Sequence, residues 1–327
     1  MNPFYLFLLL LCCNGVLNAQ PFGAGTTQKK RQYIPRYPLE LGFYVGSSQF
    51  LGDLGGTSSI GQAFVYDTDW ESTRPAIGFS ARYSMGGNVS FRLDFSYIYL
   101  SGNDRFSGEN FVATQKENTP GWFRFYRNLH FRNHVFEIAP MLHYTPINIK
   151  LSGNLYTQRK ENRLAPYLLV GTGVLFHNPQ AHYRGRWFNL RPLHTEGQGW
   201  LEGRSMYSVA QFFIPLGIGI QWEHNHSFIL GIEVRHQITF TDYLDDVSTT
   251  YIEPELFAAH LSSERASLAQ ALANRSIEHD PRQLYGYISA PQEKRGDPNN
   301  NDSYYLINVR LAFFLQHSRR LAIIKDY

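Results

Sequence analysis

Residues 89–99 constrain the fold more than any other part of the chain, because their side chains alternate between two kinds. The odd positions are all apolar or aromatic, whereas the even ones are Ser90, Arg92, Asp94, Ser96 and the single exception Ile98. Successive side chains of a β-strand point to opposite faces, whereas a helix would mix the two sets around its circumference. The apolar face is unbroken over the roughly 9–11 residues that a tilted membrane strand needs. The stretch therefore predicts a strand between lipid and a packed polar lumen.

Seven further segments repeat the same two-residue period, which brings the predicted number of strands to eight. They begin near Leu39, Ile77, Phe136, Leu164, Leu216, Phe228 and Tyr305. The chain is also rich in aromatic residues (15%) and poor in charged ones (17%), which suits a small membrane barrel. We therefore predict an all-β fold, an eight-stranded antiparallel transmembrane β-barrel of the outer membrane.

The connections between these strands alternate in length along the chain. The short ones cover residues 85–88, 148–162 and 223–227, and the long ones cover 47–73, 101–128, 178–205 and 241–301. A barrel threaded from the periplasm has short turns at the inner rim and long loops outside. The pattern predicts extracellular long loops and both termini on the periplasmic side.

Charged residues of both signs fall on the polar side of the predicted strands. They are Glu40, Arg82, Arg92, Asp94, Glu137, Glu233, Arg235 and Arg310. An eight-stranded barrel is only wide enough for its side chains to fill it, and an unpaired buried ion costs several kcal/mol. We expect an ion-paired plug with no diffusion channel. A soluble lipocalin-like barrel is the alternative, and it requires the apolar side chains to point inward.

The N-terminus has the features of an export signal. Residues 4–11 form an apolar core, and a small residue, Ala19, precedes the expected cut, so residues 1–19 are predicted to be a signal peptide. Both cysteines, Cys12 and Cys13, lie inside it; a lipoprotein cut before either is an alternative. The mature chain would hold no cysteine, which excludes a disulfide framework and a cysteine metal site. The remaining organisation is a short periplasmic segment at 20–37, the barrel at 38–315 and a periplasmic tail at 316–327.

The longest loop, residues 242–301, is predicted to contain a helix at about 253–276. Pro254 suits a first turn, and Phe257, Leu261, Leu268 and Leu272 recur near helical spacing. We expect this helix to cover the barrel mouth as a lid; a dedicated partner site is the alternative. The loop ends with an Arg-Gly-Asp triplet at 295–297, which we interpret as a chance occurrence.

Several histidines invite a chemical interpretation, but their spacing is weak. His130 and His134 would lie on one face of a strand, too far apart to chelate one ion, so hydrogen bonding is the expected role. His177, His182 and Ser205 could be nominated for a lipid-modifying site at the outer rim, although no spacing supports the choice. We therefore predict no enzyme, and we assign no catalytic, cofactor-binding or metal-binding residue.

An acidic group, Asp242, Asp245 and Asp246, begins the longest loop. Oxygen ligands of this kind could take calcium, but the spacing does not match a calcium loop and no glycine supplies its turn. A turn in which aspartates accept bonds from backbone amides is the favoured interpretation. The net charge is only +3, so nucleic acid is not expected as a partner.

Three blocks in the C-terminal half resemble a known family. They are TDYLDDVSTTY at 241–251, LANRS at 272–276 and RGDPNNNDSY at 295–304. Similar short pieces are Leu41-Gly42, residues 52–54, 166–168 and 171–173. Together they resemble a Bacteroidota outer-membrane barrel family that includes the PorG-type subunit of the type IX secretion system.

That resemblance implies an outer-membrane barrel without catalytic residues or cofactor. In PorG-type members it implies association with the periplasmic ring of the secretion machinery. The expected partners are therefore outer-membrane lipid and periplasmic or outer-membrane proteins of a secretion ring, and the expected role is anchoring. The alternatives are a surface-binding barrel that uses its long loops, and an outer-leaflet lipid-modifying enzyme.

Overall fold

The computed structural model describes residues 38–54, 72–105, 119–152, 162–280 and 282–315. These residues belong to one compact unit, Tyr33–Tyr327. The predicted signal peptide at 1–19, the segment at 20–37 and the tail at 316–327 lie outside the described residues, so those predictions stay open. Within the described part, every helix is too short or too polar to cross a membrane.

Twelve strands and three α-helices make up the described structure. The strands are β1 (Leu39–Leu51), β2 (Arg74–Gly86), β3 (Val89–Asn103), β4 (His130–Tyr144), β5 (Ile149–Ser152), β6 (Asn162–Gly171), β7 (Gly173–Phe176), β8 (Gln180–Tyr183), β9 (Arg186–Asn189), β10 (Ala210–His224), β11 (Phe228–Thr239) and β12 (Ser303–Phe314). The helices are α1 (Pro120–Arg127), α2 (Pro254–His260) and α3 (Ser263–Ala273).

The longer strands occupy eight positions and close into a ring, as the alternating pattern predicts. Antiparallel pairing joins β1 to β2, β2 to β3 and β3 to β4, and it also joins β10 to β11 and β11 to β12. Between β4 and β10, one strand position of the ring is filled by β6 and β7, which follow each other along the chain and are separated at Thr172. Antiparallel pairing of β12 with β1 closes the ring, for example Arg310 opposite Tyr44. A closed ring leaves no unpaired sheet edge, which a lipid environment would penalise.

The two rows of side chains face as the sequence predicts. Phe91 and Phe95 on β3 are 43% and 47% exposed, whereas Arg92 and Asp94 between them are fully buried in the lumen. The same alternation runs along β1, where Leu41, Phe43 and Val45 point outward. The soluble lipocalin-like alternative is wrong, because it needs the apolar row inside.

The lumen has two layers, which the sequence did not reveal. Ion pairs fill the end near the short turns, whereas an apolar cluster fills the end near the long loops. Ile98, the exception in the alternating stretch, is fully buried in this cluster with Leu100, Phe213 and Leu306. Leu244 and Val247, from the longest loop, complete the cluster from above. The expectation of an ion-paired filling therefore holds for only one layer.

The long connections contain more structure than predicted. The single helix expected at 253–276 is two helices, because the backbone is extended at Leu261 (φ −117°, ψ 157°). The second connection contains α1, and the third contains the hairpin β8–β9. Buried side chains of α2 and α3, including Phe257 and Leu272, pack with Leu190 and Leu193 of the third connection. The helices thus form part of a packed loop assembly, which we call the loop cap (residues 177–209 and 240–302 with Arg127).

Candidate functional site in the lumen and loop cap

Four charged side chains from two distant strands form a closed ion network in the lumen. Arg92 Nη1 lies 2.7 Å from Glu233 Oε2, and Arg92 Nε lies 2.7 Å from Asp94 Oδ1. Arg235 completes the square, with Nη1 2.8 Å from Asp94 and Nε 3.3 Å from Glu233. All four are fully shielded, and Tyr167 also donates to Glu233 (2.8 Å). Two positive and two negative charges balance, so these four buried ions compensate one another, although Nε and Nη2 of Arg235 make no hydrogen bond with a described residue.

A second ionic group lies nearer the short turns. Glu40 accepts from both Arg82 and Arg310, one arginine on each carboxylate oxygen. Arg82 also donates to Gln221 Oε1 (3.1 Å) and contacts His143 (2.9 Å). The cleft beside these residues holds only about 40 Å³. Side chains, rather than an aqueous path, therefore fill this end of the described barrel.

Two glycines make room for lumen aromatics. A Cβ at Gly219 would lie 2.4 Å from the ring of Tyr167, and one at Gly78 would lie 2.3 Å from the ring of Tyr44. Tyr44 in turn bonds to Ser96 (2.6 Å), and the Arg235 guanidinium lies 4.8 Å from its ring. Gly219 and Gly78 therefore leave the space that these two tyrosine rings occupy.

Glu196 is the centre of the loop cap. Its carboxylate is fully buried and accepts from the backbone amides of Ser248 (3.0 Å) and Thr249 (2.9 Å). It also forms an ion pair of 2.8 Å with Arg295. These bonds satisfy the oxygen atoms of a carboxylate that has no access to water. Glu196 therefore joins the third connection to both ends of the fourth, and no spacing in the sequence could have singled it out.

Arg295 belongs to the Arg-Gly-Asp triplet, and its burial removes the arginine of that triplet from the surface. Only 2% of the residue is exposed, and Nη1 also donates to the Asp246 carbonyl (2.6 Å). Burial disfavours its charge, but Glu196 and Asp246 raise the pKa of Arg295 above its ordinary value. The three blocks that carry the family resemblance meet here, since Arg295 Nε donates to Ala273 and its amide to Thr249.

Arg127 ties three of the long connections together. Its guanidinium pairs with Asp104 (2.7 Å) and donates to the carbonyls of Asp53 (2.7 Å) and Arg295 (2.6 Å). Five donors in a planar fork allow one arginine to hold several loop carbonyls at once. The loop cap is thus fixed to the barrel mouth by side-chain bonds as well as by its apolar contacts.

Within the acidic group that begins the fourth connection, only Asp245 accepts hydrogen bonds from backbone amides of described residues, which is the role that the favoured interpretation gives to the whole group. Asp245 accepts from the amides of Val247 (2.9 Å) and Leu54 (3.1 Å), and Asp246 accepts from Tyr207 (2.7 Å) and Thr195. Burial raises the pKa of Asp246 to about 7. Burial, with the negative charges of Asp53 and Glu196 nearby, raises the pKa of Asp242 to about 8.

The histidines and serine nominated for chemistry do not form a site. His177 is buried, and its Nε2 lies 3.1 Å from the carbonyl oxygen of Ser208. His182 donates its amide to His130 (3.1 Å), whereas Ser205 is exposed and bonds to neither histidine. Within the described ranges, no three histidine, cysteine, aspartate or glutamate side chains are grouped so that they could hold a metal ion.

A closed ring of eight antiparallel strands, apolar outside and ion-paired inside, defines the class of transmembrane β-barrels. Within that class, the chain belongs to a family described as a domain of unknown function, DUF6089, whose model matches residues 38–257. No curated protein matches the chain.

Three solved structures are similar at low identity. They are Neisserial surface protein A (6% identity, TM-score 0.35, covering 85% of this chain and 97% of that one), the N-terminal barrel domain of Pseudomonas aeruginosa OprF (6%, 0.31, 84% and 96%) and Ail, the attachment invasion locus protein of Yersinia pestis (9%, 0.32, 84% and 98%). The assignment of the fold rests on the strand pairing and not on these likenesses.

Proposed function

We propose that this protein is a non-enzymatic integral protein of the outer membrane that anchors protein partners of type IX secretion. The membrane part of the proposal rests on one observation: the barrel has its apolar side chains outside and its charged side chains inside, the reverse of a soluble protein. Large apolar side chains such as Phe79 (69% exposed) stand outside, whereas Arg92 and Glu233 are paired inside. Only a solvent of hydrocarbon makes that arrangement favourable, because apolar patches of this extent are rare on soluble monomers.

The sealed interior supports anchoring rather than transport. Two ionic groups fill the lower lumen, an apolar cluster fills the upper lumen, and the loop cap covers it. A barrel whose described lumen is filled in this way contributes its surfaces and its fixed position in the membrane. The short turns and the chain ends are the parts that would meet periplasmic partners.

The secretion part rests on the resemblance to PorG-type proteins. That resemblance lies in the blocks at 241–251, 272–276 and 295–304. In the structure these blocks surround Arg295 and Glu196, so they account for the stability of the loop cap. Partner identity therefore has to come from experiment.

The membrane part is tested by fractionation. We expect the protein to enter the outer-membrane fraction, to need detergent for extraction and to migrate faster on gels when unheated, because a folded barrel resists the detergent. A protein that stays soluble after removal of residues 1–19 would contradict the membrane placement.

The secretion part is tested by deletion and pull-down. We expect a deletion strain to retain type IX substrates in the periplasm, and tagged protein to co-purify with ring lipoproteins from detergent-solubilised membranes. A catalytic role would instead alter outer-leaflet lipid, which mass spectrometry of lipid A would detect. Normal secretion in the deletion strain would defeat the proposal.

Surface binding is the second candidate function, and one observation favours it. The loop cap exposes Ile277 (54%), Leu284 (67%) and Tyr287 (57%), although its own core is well packed. Replacing these three by serine would leave the buried core intact. Loss of cell adhesion with normal secretion would favour surface binding over anchoring.

A further inference from the structure

One side of the barrel exterior carries a groove lined by aromatic and aliphatic side chains. The groove holds about 350 Å³ and runs across β2, β3, β4 and β7. Its walls are Ile77, Phe79, Phe95, Phe136, Ile138 and Phe176. The register stacks these residues in two rows, because Phe79 lies opposite Phe95, and Phe95 lies opposite Ile138. The second row has Ile77, Tyr97, Phe136 and Phe176 in line.

An aromatic and basic collar lies directly above the groove, toward the long loops. Tyr97 lines the groove, and its hydroxyl lies 2.7 Å from His134 Nδ1. The next residue outward on β3, Tyr99, stacks on the same imidazole with ring centres 5.0 Å apart. The guanidinium of Arg74 lies 5.9 Å from the centre of the Tyr99 ring. The collar therefore joins the apolar groove to a positive charge.

A second arginine completes the collar on the β4 side. The guanidinium of Arg132 lies 3.9 Å from the ring centre of Trp187, and Arg132 Nε donates to Gln180 (2.9 Å). Its two terminal nitrogens make no hydrogen bond with any described residue. A guanidinium 3.9 Å from the centre of an indole ring is held by a cation–π contact, and its terminal nitrogens keep their hydrogen-bond donors.

The opposite side of the barrel has no such collar. The outward positions of β10, β11, β12 and β1 contain no arginine or lysine, although they include Phe212, Ile232 and Phe313, which are equally exposed. At the height of the collar these strands place His236 and Tyr305. Among the described outward strand positions, arginine over apolar surface therefore occurs on the groove side and not on β10, β11, β12 or β1.

We propose that this groove side binds one phosphate-bearing lipid of the outer leaflet. An acyl chain lies between Phe79, Phe95 and Ile138, and the phosphate accepts hydrogen bonds from Arg132. The proposal rests on the proposed membrane placement, with the long loops outside. Arginine matches the oxygens of a phosphate with two parallel donors, and tryptophan and tyrosine favour the membrane interface. A neutral lipid would fill the groove but would offer no anionic acceptor to the Arg132 guanidinium.

The test compares lipids that differ only in phosphate. Purified full-length protein in mild detergent is titrated with diphosphorylated lipid A, with the same lipid after dephosphorylation, and with inorganic phosphate alone, and retained lipid is counted by native mass spectrometry. We expect only the phosphorylated lipid to be retained. Retention of inorganic phosphate alone, or equal retention of the dephosphorylated lipid, would overturn the proposal.

Variants assign the binding to the groove and its collar. We expect R132Q to weaken retention about tenfold, since one charge-assisted hydrogen bond accounts for a change of that order. Filling the groove by I138W should weaken retention independently. The matched controls are R265Q, which removes the same charge from exposed α3, and I232W, which adds the same bulk on the opposite side.

Folding of every variant is checked by faster migration of the unheated protein. Equal losses in R265Q and R132Q, or in I232W and I138W, would overturn the proposal. Failure of the membrane placement would be separate, because the protein would then be recovered without detergent.

Discussion

Arg92 on β3 and Glu233 on β11 form an ion pair of 2.7 Å across the barrel lumen, although three strand positions of the ring lie between β3 and β11. The pair links two walls of the ring that share no backbone hydrogen bonds. Asp94 on β3 and Arg235 on β11 form a second ion pair across the lumen, in which β3 supplies the negative charge and β11 the positive one. The lumen network therefore links β3 to β11 directly, which the backbone hydrogen bonds of the sheet do not do.

The first prediction concerns the charge balance of this network. E233Q should destabilise the barrel by about 3–5 kcal/mol, because Arg92 and Arg235 then share a single carboxylate in a buried site. R92M/E233Q should recover part of the loss, since one arginine and one aspartate remain. Urea unfolding in detergent measures both. E264Q, on the exposed face of α3, is the control; an unchanged midpoint for E233Q would contradict the role of the network.

The second prediction concerns the lipid-facing row. F95R should cost about 2–4 kcal/mol of folding free energy in a bilayer, because it places a charge on the lipid face of a membrane strand. F95L should fold nearly as well as the parent, since it keeps the position apolar. Folding yield into vesicles measures the difference. Equal yields for the two variants would mean that Phe95 does not face lipid.

The third prediction concerns the loop cap. E196A removes the acceptor for Ser248, Thr249 and Arg295, and it leaves a buried guanidinium without its carboxylate. We expect faster hydrogen exchange and faster proteolysis between residues 240 and 302, with the strands unchanged. E202A removes an exposed carboxylate from the same connection and serves as the control. Exchange that rises equally in both variants would show that Glu196 does not hold the cap.

The fourth prediction is a pH dependence from Asp242. Its folded pKa is raised from 3.8 to about 8, so between these values the unfolded chain has released a proton that the folded chain retains. Stability of the loop cap should therefore be greatest near pH 4 and fall as the pH rises toward 8. D242N mimics the protonated form and should raise the melting temperature at pH 8 but not at pH 4. A benefit that is equal at both pH values would contradict the raised pKa.

The number of strands in the ring and the face of each side chain could be predicted because each depends on local alternation. The period of two in 89–99 assigns Phe91 outward and Arg92 inward without any knowledge of the neighbours. Ile98 shows where this reasoning stopped. Its parity places it in the lumen, but only the cluster with Leu100, Phe213 and Leu306 explains why an apolar residue belongs there.

The loop cap could not be predicted in the same way. Glu196, Arg295 and Arg127 lie far apart in sequence, and their contacts have no period. The predicted single helix at 253–276 followed from local propensity, whereas the extended backbone at Leu261 lets α2 and α3 pack against the third connection. The groove and its collar likewise could not be predicted, because they are formed by β2, β3, β4, β7 and the β8–β9 hairpin. The register between these strands is what places their side chains next to one another.

The amino-acid sequence by itself determined a barrel with apolar side chains outside and charges inside, because alternation along a strand is a local property. The tertiary structure alone decided which charges pair across the lumen, where the interior becomes apolar, and how the loop cap covers the mouth. Those features depend on ring closure and strand register, which bring residues more than a hundred positions apart into contact.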